Sequence, residues 1–219
     1  MSHEKKLQWS RFLFWFQVIC AVIFCTAQTV RMFSSTKGVS VSFFVCHGVF
    51  ALLNLSLSLV AYANSTDIDK KIKGQSVFIY AMWLVVLFIH LGTALCKMSD
   101  PWKYNDTITS LIVIAGVVPT ILFSQFKRIS LFDPAIKASL AIFFKSVPQV
   151  SLAYNIYMFG TEGLSGVWIL VGHITILTRI VHLWISNHER WDRNTKWSFV
   201  SEVWNEVSWL VASAAWLLF

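Results

Sequence analysis

Charged and amide groups stranded inside long apolar stretches are the residues of this chain best placed to do chemistry. The last apolar block opens Glu202-Val203-Trp204-Asn205-Glu206-Val207-Ser208-Trp209, where Glu202 and Glu206 share a helical face and Trp209 follows Asn205 by about one turn. Lys145 and Arg179 are basic residues inside two other apolar blocks. A carboxylate held in such surroundings either exchanges a proton or neutralises a fixed cation. Glu206, the deeper of the two acids, is the candidate for either role, with Lys145 or Arg179 as the partner in an ion pair.

A second group of residues suits the recognition of a small polar solute. His47, Ala51, Asn54 and Ser58 recur at steps of four, three and four, so one face of their helix is polar. That face either lines a cavity or packs as a small-residue stripe with Asn54 bonded to backbone. Trp83 and Trp204 take matching places in two halves of the chain, and such a pair would sandwich a flat solute beside Asn205. His173 mirrors His47 in the same comparison. Finally, Pro148-Gln149 interrupts an apolar run. The proline leaves a carbonyl without its usual donor and the glutamine brings in an amide, so the helix there is expected to bend.

These residues must be positioned by membrane helices. The 219-residue chain is 56% hydrophobic and 13% charged, against about 25% charged for a soluble domain. Its apolar blocks are about 20 residues long and apolar on all sides, which excludes the short alternating strands of a β-barrel. Seven spans are predicted, at 11–33, 41–63, 75–96, 107–126, 134–159, 164–186 and 198–219. Twelve lysines and arginines, Lys70, Lys71, Lys127 and Arg128 among them, fall at the N-terminus and in the even-numbered loops, and four fall on the other side. The positive-inside rule therefore predicts a cytoplasmic N-terminus.

The chain repeats itself. Gln28 and Gln149, Gly38 and Gly163, His47 and His173, and Trp83 and Trp204 keep nearly one displacement, so spans one to three match spans five to seven and span four is a linker. The expected architecture is all-α and integral to the membrane, with seven transmembrane helices as two parallel three-helix bundles joined by a linker helix. The bundles would occupy 1–98 and 131–219, with the linker at 99–130.

Together, Pro148-Gln149, Gly163-Leu164-Ser165, the half-copy Ala27-Gln28 with Gly38-Val39-Ser40 and the three-one-three layout resemble the PQ-loop and SWEET-type transporters. The resemblance covers nearly the whole chain. It implies a substrate site between the bundles near mid-membrane and hinges at Gln28, Pro148 and Gln149 for alternating access. Ala27 stands where the first proline of that family would be.

The function expected is transport of a small polar solute, with proton coupling through Glu206 as an option. The alternative is a receptor or sorting protein of the same fold that binds its ligand without moving it. No phosphate loop, nucleophile triad or metal-spaced cluster appears, so neither an enzyme nor a cofactor is expected. Tryptophans and arginines near span ends, Trp184 and Arg193 among them, read as headgroup anchors rather than a nucleic-acid surface. The expected partners are the solute, membrane lipid and a second copy of the chain in a homo-oligomer.

Overall fold

In the computed structural model, which describes residues 3–65, 67–187 and 191–219, the chain forms seven helical segments and, among the described residues, no strand. They are α1 (His3–Ser34), α2 (Val41–Ala63), α3 (Asp67–Lys97), α4 (Tyr104–Phe126), a composite of α5 (Pro134–Ala141) and α6 (Val147–Phe159), α7 (Gly166–Asn187) and α8 (Arg193–Leu218). Stretches long and apolar enough to cross a membrane occur in four of them, Arg11–Ser34, Val41–Ala63, Lys73–Lys97 and Tyr104–Phe126. The chain is a helical membrane protein. The other three predicted spans are helical: the fifth is divided into α5 and α6, α7 holds a shorter apolar stretch, Gly166–Val181, and α8 carries Glu202, Asn205 and Glu206. Their outer faces remain oily, with Leu170, Leu177, Val181, Val207 and Leu210 exposed. The side chains of Lys5, Lys6 and Arg190, part of the charge tally above, lie outside the described residues.

Local chemistry sets the helix ends. The Ser40 hydroxyl accepts from Phe43 N at 3.2 Å and starts α2, and the Ser165 hydroxyl accepts from Trp168 N at 3.4 Å and starts α7. Asp133 caps α5 ahead of Pro134, and Asp192 caps α8. The predicted bend at Pro148 takes a definite form. Between α5 and α6 lies a π-helical turn, Ile142–Ser146, in which Val147 N–H bonds to Ile142 O, five residues back. Pro148 follows at once and has no N–H with which to continue the ladder. The turn carries Lys145, whose side chain is buried.

Packing follows the same scheme at both ends of the chain. Helix α3 packs against both α1 and α2, and α8 packs against both α5–α6 and α7. Between these groups α1 meets α7 and α2 meets α6, while α4 touches α2, α5 and α6. The main core lies where the groups meet, around Phe24, Phe43, Phe44, Trp168 and Trp209.

Candidate functional site

A crevice runs between the two groups of helices. Its outer vestibule, about 340 Å³, lies toward the end of the molecule where α2 and α7 finish and α3, α5 and α8 begin. An inner chamber of about 120 Å³ shares Phe50, Tyr80 and Arg179 with it. The walls come in corresponding pairs. On α2 and α7 the pairs are His47 with Gly172 and Asn54 with Arg179, at the displacement of 125 that also separates Lys37 from Glu162. On α3 and α8 they are Tyr80 with Glu202, Trp83 with Asn205, and Leu87 with Trp209.

The opposite end is sealed. Two loops with one pattern, Thr36-Lys37-Gly38-Val39-Ser40 and Thr161-Glu162-Gly163-Leu164-Ser165, lie against each other. Gly163 N donates to Lys37 O at 2.9 Å, and Lys37 Nζ reaches Glu162 Oε1 at 3.3 Å. Each glycine is required by this approach: a Cβ on Gly38 would sit 2.1 Å from Gly160 O, and one on Gly163 would sit 2.5 Å from Lys37 O. Gln28, fully buried, reaches across from α1; its Nε2 donates to Gly163 O at 2.9 Å and its Oε1 accepts from Ser165 N at 3.0 Å. Helix α4 adds a second tie, because Asp106 accepts from Ser40 Oγ and Ser42 N while Asn105 donates to Ser151 and Asn155 on α6. Beneath the loops Phe24, Phe43, Trp168 and Trp209 form an aromatic plug, with Phe43 and Trp168 5.5 Å apart and Trp168 and Trp209 4.9 Å apart.

At the junction of vestibule and chamber sits a charged cluster. Lys145 Nζ lies 3.4 Å from Glu202 Oε2, and Arg179 Nη1 lies 3.8 Å from Glu202 Oε1. Asn205 Nδ2 donates to Glu202 Oε2 at 3.2 Å, and Asn205 Oδ1 accepts from Gln149 Nε2 at 2.9 Å. Ser208 Oγ donates to Gln149 Oε1, so a polar chain runs from α8 through α6 to the lysine. It leaves few buried polar atoms unpartnered at the chamber wall, the main exception being the indole Nε1 of Trp83.

The candidates named from the sequence are distributed as follows. Lys145, Arg179, Asn205, Trp83, His47 and Gln149 line the chamber, and Asn54 lines the vestibule. Asn54 bonds to Phe50 O of its own helix, and His47 Nδ1 to Phe43 O. Pro148 is fully buried behind the π turn. Three expectations are corrected. Glu206 does not pair with Lys145 or Arg179: its Oε1 lies 2.6 Å from His173 Nδ1, and Glu202 takes the two cations instead. Trp204 does not face Trp83. It is 52% exposed on the outer face, and Asn205 is the residue opposite Trp83. His173 does not mirror His47; it bonds Glu206 and Ser213 within its own group, and Gly172 holds the corresponding place because the Trp209 indole fills the space of its side chain.

Sequence reasoning missed Glu202 as the ion-pair partner and Tyr80 as a wall. A signal existed for the first. Glu202, Asn205 and Trp209 fall at steps of three and four, which puts the carboxylate on the face of the amide and the indole and Glu206 about 100° away from Asn205. No family model matches the chain, and no curated protein or solved structure matches it.

Proposed function

We propose that this protein is a membrane carrier that moves a small polar solute by alternating access between two parallel three-helix bundles, α1–α3 and α5–α8, with α4 as the linker. The observation that carries the reading is a crevice walled by corresponding residues of both groups, accessible at one end and sealed at the other by two loops of one pattern. The two loops meet through one hydrogen bond, one exposed ion pair and two glycine contacts, and behind them Gln28, Asp106 and Asn105 add the polar bonds that must also part for this end to open. The same loops and the Pro148-Gln149 pair carry the resemblance to PQ-loop and SWEET-type transporters. In this reading the solute rests against Trp83, Asn205, Lys145 and Arg179, and the π turn ahead of Pro148 is where the fifth span flexes. The positive-inside rule places the vestibule on the cytoplasmic side.

The test is a reversible lock on the sealed end. Lys37→Cys and Glu162→Cys in a background lacking the exposed Cys96 are joined by a short bis-methanethiosulfonate, which forms a disulfide with each thiol and releases methanesulfinate, and uptake of a pool of labelled small polar metabolites into proteoliposomes is followed. Loss of uptake on joining and its return on reduction are expected. Full uptake by the joined protein overturns the reading, and saturable binding with no accumulation by unmodified protein assigns the receptor alternative instead.

A further inference from the structure

The charged cluster at the junction of the two cavities is unbalanced, and the imbalance specifies a ligand. Among the described residues lining the crevice, the basic ones are Lys137, Lys145 and Arg179, and the one acid is Glu202. That carboxylate is already shared: Lys145 reaches both oxygens at 3.4 and 3.5 Å, Asn205 donates to one of them and Arg179 approaches the other at 3.8 Å. A guanidinium has five N–H donors in a fork that matches a carboxylate, and an ammonium has three. Donor capacity at the junction therefore exceeds the acceptors the protein provides. The chamber wall adds a further donor, the Trp83 indole Nε1, which is buried and without a partner. An indole N–H donates and cannot accept.

Building on the carrier reading, we propose that the solute is a small organic carboxylate whose anionic head docks between Arg179 and Lys145 and whose apolar or aromatic body lies in the inner chamber. The chamber is walled by Phe24, Phe43, Trp83 and Trp209, which offer flat apolar surface to a body of that kind. Its volume of about 120 Å³ admits a group the size of one ring. An inorganic anion would satisfy the cations but leave those walls wet, and a cationic solute would meet Glu202 only after displacing both of its partners. Asn54, which holds the place of Arg179 in the other half, is neutral and bonded to its own helix. The carboxylate is thus bound asymmetrically, by the π turn and α7 rather than by α2.

The experiment uses full-length protein in nanodiscs, with intrinsic tryptophan fluorescence as the readout because Trp83 and Trp209 wall the chamber. The probes are benzoate, 3-phenylpropionate, benzamide, benzylamine and inorganic phosphate. At least one of the two carboxylates is expected to bind saturably and about tenfold or more tightly than benzamide, the difference that one charge-assisted contact provides. Arg179→Gln is expected to remove that preference, and Arg179→Lys, which keeps the charge and tests for misfolding, to retain most of it. Equal binding of benzoate and benzamide, tighter binding of benzylamine or phosphate, no saturable response to either carboxylate, or a preference that survives in Arg179→Gln overturns the proposal. The carrier reading fails separately. Carboxylate binding with no uptake into proteoliposomes removes transport and leaves carboxylate recognition standing, whereas uptake of neutral solutes unaffected by excess carboxylate does the reverse.

Discussion

Lys37 and Glu162 hold the same position in the two copies of one five-residue pattern, and their side chains meet at 3.3 Å across the sealed end of the crevice. Elsewhere the two copies match in residue type: Thr36 corresponds to Thr161, Gly38 to Gly163 and Ser40 to Ser165. At the one position where a repeated charge would repel itself, the two copies differ in sign.

Both side chains are more than half exposed, so the pair contributes little to global stability and acts on whether the loops stay together. A hydrogen bond to its own backbone N–H and then the bond from Lys37 hold the Glu162 carboxyl below the usual 4.5. A group with a depressed value stabilises the state that depresses it above the ordinary value and loses that effect as pH falls through the lower one. Closure is therefore expected to be fully in force at neutral pH and to weaken only below the ordinary carboxylate range. Lys37→Glu is expected to raise solvent access at this end and the swap Lys37→Glu with Glu162→Lys to restore closure, measured by thiol labelling of a cysteine at Thr36.

The loop glycines can be ranked. Gly38 has φ +78 and a Cβ there would lie 2.1 Å from backbone, so Gly38→Ala is expected to destabilise the sealed form by about 1–3 kcal/mol. Gly163→Ala, whose Cβ would lie 2.5 Å from Lys37 O, is expected to act in the same direction. Gly48 and Gly92 are helical with nothing within 4 Å of such a Cβ, and their alanine variants are expected to be neutral or more stable by up to about 1 kcal/mol. Thermal unfolding in detergent separates the two classes.

Gln28 joins α1 to the loop before α7 through two bonds at a fully buried site. In Gln28→Leu the Gly163 carbonyl and the Ser165 N–H both lose this partner, at a cost of about 1–3 kcal/mol for each. Asn54→Ala removes a bond that serves only the backbone of its own helix, so its effect on thermal stability is expected to be smaller.

Lys145 and Glu202 form a pair whose side chains are 7% and 17% exposed. Glu202→Gln leaves the ammonium buried beside Arg179 and is expected to cost about 3–5 kcal/mol. The double variant Glu202→Gln with Lys145→Met is expected to lose less than the sum of the two single variants, as a double-mutant cycle on melting temperature would measure. A loss in the double variant equal to the sum of the two single losses would show that the pair does not couple the π turn to α8.

Much of the fold could be read along the chain. Apolar blocks of membrane length gave the helices; the caps Ser40, Ser165 and Asp133, which start three of them, are local signals of one turn that the span reading did not use. The polar face of α2 and the disruption at Pro148 were equally local. The π turn itself was not legible, since where a helix takes up an extra residue depends on what the carbonyls freed by proline meet nearby.

What the sequence determined by itself was a helical membrane protein with a repeated pattern and a few charges that had to face inward, because hydrocarbon leaves them no other place. Which charge met which was decided by the tertiary structure. Successive residues of a helix point about 100° apart, so a slip of one position in comparing α3 with α8 set Trp204, rather than Asn205, opposite Trp83 on paper. Packing against α6 and α7 fixed the rotation. It set Glu202 and Asn205 inward beside Lys145 and Arg179, left Trp204 outside, and gave Glu206 to His173.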